Sequence, residues 1–150
     1  ADWGPILVRS TTAALAVQGT TWTASPGGGT YGQSVPALAE AEMVGTTPKA
    51  IAGVRQDSAF RTNLVLANPL ETAATVEVTL LLADGTTAVT RSVDLGPWDV
   101  SQLNVAADLG VTGLTGGSFL LTGKTPGGAV AAYASVIDST TADPRSVLAR

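Results

Sequence analysis

Residues 75–95 read Thr75-Val76-Glu77-Val78-Thr79-Leu80-Leu81-Leu82-Ala83-Asp84-Gly85-Thr86-Thr87-Ala88-Val89-Thr90-Arg91-Ser92-Val93-Asp94-Leu95. Val76, Val78, Leu80 and Leu82 alternate with Glu77, Thr79 and Leu81, the period of a strand with one buried face. Asp84-Gly85 then supplies a two-residue hairpin turn. Folding back about that turn sets Leu80 opposite Val89 and Val76 opposite Val93, while Thr79 meets Thr90 and Glu77 meets Ser92. One face is apolar and the other mostly polar, so the register is self-consistent. Arg91 alone falls on the apolar face, opposite Val78. It is expected at the rim of a sheet with its stem laid along the core.

Outward from this hairpin the same grammar repeats. Gly, Pro or Asp-Gly interrupts the chain roughly every 8–12 residues, the spacing of short antiparallel strands in a sandwich or barrel. Segments rich in Val, Leu, Thr and Ala predict strands at Ile6–Ser10, Ala13–Val17, Thr20–Ala24, Ala50–Arg55, Arg61–Ala67, Val100–Val105 and Arg145–Leu148. A second hairpin is expected between Ser118–Thr122 and Ala129–Ile137, joined by Gly-Lys-Thr-Pro-Gly-Gly. Its return strand is apolar on both faces, so it should be covered on both sides. Residues 36–45, with Ala, Leu, Glu and Met ahead of Gly45, suit either a short helix or an ordered loop. The expected fold class is all-β: one two-sheet antiparallel β-sandwich of Ig-like or Greek-key type over residues 1–150. A short helix near 37–44 is its one helical option, and residues 1–12 are a candidate exchangeable N-terminal arm.

Composition narrows the function. Of the 150 residues, 45% are apolar, so a core is affordable, while 13% are charged, about half the roughly 25% of an ordinary domain. The surface is therefore Thr, Ser, Gly, Ala, Gln and Asn, which costs little to desolvate against another surface. Net charge is −4, and the basic residues Arg9, Lys49, Arg55, Arg61, Arg91, Lys124, Arg145 and Arg150 are scattered. Without a cationic cluster to neutralise phosphates, nucleic acid is not an expected partner. No apolar run approaches the ~18 residues of a membrane-spanning helix. The chain opens on Ala1 without methionine, as after removal of a signal peptide, so secretion is expected.

Three stretches carry a resemblance. They are Gly29-Thr30-Tyr31-Gly32-Gln33-Ser34-Val35-Pro36, Phe60-Arg61-Thr62-Asn63-Leu64-Val65-Leu66-Ala67-Asn68-Pro69, and Ala132-Tyr133-Ala134-Ser135-Val136-Ile137-Asp138 with Asp143-Pro144 after it. In this order they resemble an uncharacterised family of β-sandwich modules in secreted and surface proteins of environmental bacteria. The resemblance implies fold and location rather than an activity. Ser139 and Ala142 stand where that family tends to have Asn and Gly, which alters a turn or ion site there. Physics accounts for much of the middle stretch by itself. Asn68-Pro69 ends a strand, Asn63 can hold a loop through its side chain, and the Arg61 guanidinium can pair with Asp57 or clamp carbonyls.

Catalytic chemistry finds little to work with. Cysteine and histidine are absent, which removes thiolate catalysis, disulfides, most zinc sites and the usual base of a hydrolytic triad. The nucleophile-elbow pattern does not occur, and Gly27-Gly28-Gly29 lacks the Lys-Ser/Thr of a phosphate-binding loop. Most aspartates (Asp84, Asp94, Asp99, Asp108, Asp138, Asp143) fall at turns, where Asp stabilises the backbone. No enzyme, catalytic residue or cofactor is expected. Asp138 and Asp143 flank an oxygen-rich loop and are weak metal candidates for calcium, with paired Asx-turns the simpler reading.

Two surfaces are candidates for recognition. Of Trp3, Trp22, Trp98, Tyr31 and Tyr133, Trp98 follows Gly96-Pro97 at a strand turn and is the one expected to be partly exposed, as a stacking platform for polysaccharide or a cell surface. The apolar segment Trp3–Val8 can complete its own sheet or add to an open edge of a neighbouring subunit. Trp3, Ile6, Leu7 and Val8 are therefore the candidate subunit interface. The leading expectation is an extracellular, non-enzymatic structural protein that self-associates into a surface filament or array by strand complementation. An adhesion module and an accessory domain of a larger secreted protein are the alternatives.

Overall fold

A computed structural model describes residues 4–150. It has ten strands: β1 (Gln18–Ala24), β2 (Thr30–Pro36), β3 (Lys49–Gln56), β4 (Phe60–Ala67), β5 (Ala74–Leu82), β6 (Thr87–Leu95), β7 (Val100–Asn104), β8 (Leu114–Gly123), β9 (Ala131–Asp138) and β10 (Pro144–Leu148). Two antiparallel sheets, in the orders β10-β9-β4-β7 and β3-β8-β5-β6, enclose the core, and β1 and β2 form a separate hairpin. The expected all-β sandwich is the fold.

The core is built by alternation. Along β5, Ala74, Val76, Val78 and Leu80 are buried in strict alternation with half-exposed neighbours. They meet Phe119 and Leu121 of β8, Val93 and Leu95 of β6, and, from the facing sheet, Leu64 and Leu66 of β4 and Ala132 and Ala134 of β9. Phe119 is the largest fully buried side chain, and the small Ala132 and Ala134 of β9 belong to the same core. Bulk on one sheet against small residues on the other lets the two layers interdigitate.

The β5–β6 register is the expected one, with Leu80 opposite Val89, Val76 opposite Val93 and Val78 opposite Arg91. Arg91 lies on the edge strand and its guanidinium donates to the Asp108 carbonyl at 2.9 Å. The turn differs from the expectation. Leu82 N–H bonds to Thr86 and Gly85 N–H back to Leu82. The loop therefore holds three residues, with Gly85 alone at positive φ, +84°. A two-residue type I′ turn needs positive φ at Asp84 as well. A bulge then leaves Ala88 as an extra residue, since Leu81 pairs with Thr87 but Leu80 with Val89. The bulge restores the register that the three-residue loop would have shifted.

Other expectations are corrected. Ser118–Thr122 and Ala129–Ile137 are not a hairpin, because β8 pairs with β3 and β5 while β9 pairs with β4 and β10. The Gly-rich link carries the chain from one sheet to the other. Residues 37–44 contain a single 3-10 turn, Glu40–Glu42, instead of an α-helix. Ile6–Ser10 and Ala13–Val17 are not strands. Conversely β2, unforeseen, pairs with β1 around the Ser25–Gly29 turn.

Two buried polar side chains fasten the strand ends. Thr62 exchanges hydrogen bonds with both the amide and the carbonyl of Arg55, at the irregular end of β3. Asn68, wholly buried, donates to the Thr72 and Gly96 carbonyls, both at 2.8 Å, and accepts from Leu70 N–H. The loop-locking role expected of Asn63 thus belongs to Asn68. Asn63 instead accepts from Asn104 Nδ2 on the neighbouring strand at 2.9 Å.

Candidate functional site

The β1–β2 hairpin lies on the outer face of the β10-β9-β4-β7 sheet as a third layer. Ala132 and Ala134 point to the core, so alternation sends Tyr133, Ser135 and Ile137 outward. Ser135 Oγ donates to Gln33 Oε1 at 2.9 Å, and Gln33 Nε2 donates to Ser146 Oγ at 2.7 Å. Ser146 Oγ in turn donates to the Ser34 carbonyl at 2.7 Å. One glutamine thereby spans β9 and β10 and anchors the hairpin. The covered outer face of β9 is the second cover that its apolar sequence required.

Beside this anchor a cleft of about 340 Å³ opens between hairpin and sheet, lined by Thr21, Thr23, Tyr31, Arg61, Ile137 and Pro144 among others. Arg61, Ile137 and Pro144 form one row across β4, β9 and β10. The expected pairing of Arg61 with Asp57 is not made. Arg55 takes that place, its Nη2 2.8 Å from Asp57 Oδ2 and its guanidinium 3.9 Å from the Phe60 ring centre. Arg55 and Arg61 are both in reach of Asp57 by sequence, and only the β3–β4 crossing selects between them.

The metal candidates act as turn formers. Asp138 Oδ1 accepts from the Thr140 and Thr141 amides at 2.7 and 2.9 Å, an Asx-turn. These bonds, the Thr141 amide foremost, hold its carboxyl below the usual carboxylate range. Asp143 closes the loop with its backbone, since its carbonyl accepts from Asp138 N–H at 3.0 Å. Ala142 holds the turn in the left-handed region, φ +59°.

Trp98 is 42% exposed and also left-handed, φ +57°. Its amide donates to the Leu70 carbonyl, so the Asn68 network fixes the turn that presents it. Gly4 lies against this turn, where a Cβ on it would stand 3.7 Å from the Trp98 carbonyl oxygen. The N-terminal segment therefore passes beside the Trp98 turn at Gly4.

From Gly4 to Val17 the chain forms an arm without strand pairing. Ser10 Oγ accepts from the Thr12 and Ala13 amides and bends it. Ile6 is 91% exposed, and Leu7, Val8, Leu15 and Val17 are exposed as well. The fourth interface candidate, Trp3, lies outside the described residues. β1, which continues the arm, is exposed along its whole length, with Trp22 at 68%. The sequence predicts the strand Thr20–Ala24 and singles out Trp98 among the aromatics, but it does not mark the open β1 edge, and Trp22 is the more exposed of the two tryptophans. The available signal was Thr21-Trp22-Thr23, an aromatic between threonines, which suits a strand with one face to solvent.

No family model matches the chain, and no curated protein matches it. Two solved structures share its fold. Thermotoga maritima 1070 is 17% identical with a TM-score of 0.58, over 72% of this chain and 96% of that one. The Anabaena sensory rhodopsin transducer is 16% identical with a TM-score of 0.51, over 67% and 92%. Likeness at this level of identity establishes the β-fold alone.

Proposed function

We propose that this chain is a non-enzymatic structural module, secreted to the cell surface, that self-associates through its N-terminal arm by strand addition. The observation that supports this is the arm itself. Among the described residues it contributes Ile6, Leu7, Val8, Leu15 and Val17, five of the nine large apolar side chains left exposed. Each such side chain is worth roughly 1.5–3 kcal/mol when buried. Several together offset much of the entropy cost of association. The aspartates with depressed pKa values, Asp57, Asp84 and Asp138, spend their carboxylates on turns, in keeping with a structural role.

Sedimentation velocity and electron microscopy of the full chain and of residues 13–150 test the reading. Concentration-dependent assembly of the full chain, lost in the truncated one, is the expected result. Monodisperse monomers in both cases refute it.

A second reading has one observation in its favour. A bulky side chain at positive φ is a strained arrangement that tends to persist where function uses it, and Trp98 is such a residue. Saturable binding to a glycan surface, abolished by Trp98→Ala, would make this an adhesion module.

A further inference from the structure

We propose that the open edge of β1 is the acceptor for the arm of a second copy, an assignment that rests on arm-mediated self-association. The remaining edges are guarded. β3 and β10 are tied together by reciprocal Ala50–Arg150 backbone bonds of 2.7 and 2.9 Å, and Arg145 reaches the Gly53 carbonyl. β6 carries Arg91, Asp94 and a bulge at Ala88. β7 is only five residues long, and the outer edge of β2 is met by Ser146. Charges, bulges, shortness and cover are the devices that stop edge-to-edge pairing. β1, Gln-Gly-Thr-Thr-Trp-Thr-Ala, has none of them among the described residues: seven residues, uncharged, without proline or bulge.

The ladder shows which groups are free. Ser25 N–H bonds to the Gly29 carbonyl and Ala37 N–H to the Val17 carbonyl. In an antiparallel pair such bonds alternate, so the odd-numbered residues of this strand face β2. The amides and carbonyls of Gln18, Thr20, Trp22 and Ala24 point to the open edge. Ile6–Arg9, between Pro5 and the Ser10 bend, is a segment of four residues that fits beside Thr20 and Trp22. Alternation then sets Ile6 and Val8 on one face, where they cover the Trp22 indole. This brings together the most exposed aliphatic and the most exposed aromatic side chain described. The partner is a second copy of this chain, bound mainly through backbone hydrogen bonds.

Two variants of the full chain test the assignment. Thr20→Pro removes an outward amide that β2 does not use. It should leave the circular-dichroism spectrum intact while raising the concentration needed for assembly at least tenfold. Because the chain has no cysteine, Ile6→Cys and Trp22→Cys copies can be mixed and oxidised, and a disulfide-linked heterodimer is expected. If the parent chain assembles in an arm-dependent way but Thr20→Pro assembles equally well and the mixed copies do not crosslink, β1 is not the acceptor and the arm reading stands. If the parent chain stays monomeric, both fall together.

Discussion

Asn68 Nδ2 lies 2.8 Å from the Gly96 carbonyl oxygen, joining the loop after β4 to the loop after β6, 28 residues further along. The same amide group holds Thr72, and the side-chain oxygen holds Leu70. Substituting Asn68 by Ala leaves two carbonyls and one amide without their partner in a partly buried place. The expected loss is about 3 kcal/mol, at roughly 1–3 kcal/mol per unsatisfied group with partial relaxation. Urea denaturation measures it, and a red shift in Trp98 emission should accompany it because the Leu70 and Gly96 loops hold that turn.

Gly123 donates to the Gly45 carbonyl at 2.7 Å. A Cβ at position 123 would stand 2.8 Å from that oxygen and 2.9 Å from its carbon. Both obstructing atoms are backbone and cannot swing aside. Gly123→Ala should cost about 2–3 kcal/mol, at the upper end of overpacking penalties, with the urea midpoint falling at unchanged slope.

Ala142 points the other way. A non-glycine residue in the left-handed region is strained by roughly 1–2 kcal/mol, and glycine gives back about 0.4–1 kcal/mol through the unfolded chain. Ala142→Gly should therefore stabilise the protein by about 0.5–1 kcal/mol, from the difference of these two effects. A melting temperature unchanged or lowered by the substitution would contradict the strain.

Acid should unfold this protein in a predictable window. At Asp57, burial works to raise the pKa, but hydrogen bonds from Arg55, Ala59 and Phe60 outweigh it and the pKa is lowered. A group whose folded pKa lies below its unfolded value adds stability above about pH 4, and that stability disappears as pH falls through the folded value. Histidine is absent, so stability should be level from about pH 5 to 8 and fall below about pH 4. Asp57→Asn should be less stable than the parent at neutral pH and show a shallower decline in acid.

Much of this was legible from residue order. The β5 alternation and the Asp-Gly turn placed Leu80 opposite Val89 through local chemistry, even though a three-residue loop and a bulge at Ala88 replaced the simple turn. The site was less legible. β2 is hard to see in the sequence because its inward residues Tyr31, Gln33 and Val35 place a glutamine where an apolar residue marks a strand. Gln33 belongs there only because Ser135 and Ser146, more than a hundred residues away, supply its hydrogen bonds. The composition of the arm predicts strands, yet a strand exists only where a neighbouring ladder is open. From Gly4 onward the arm makes no such ladder within its own subunit.

Residue order by itself determined the class of fold, since period-two burial and turn residues act over a few positions. It also removed histidine and cysteine chemistry. Only the tertiary structure decided which sheet each strand joined, which arginine met Asp57, and which edge was left unguarded. Those outcomes are long-range. A strand apolar on both faces carries no mark of its partner, and the β1 edge is open only because no other described segment of the chain reaches it.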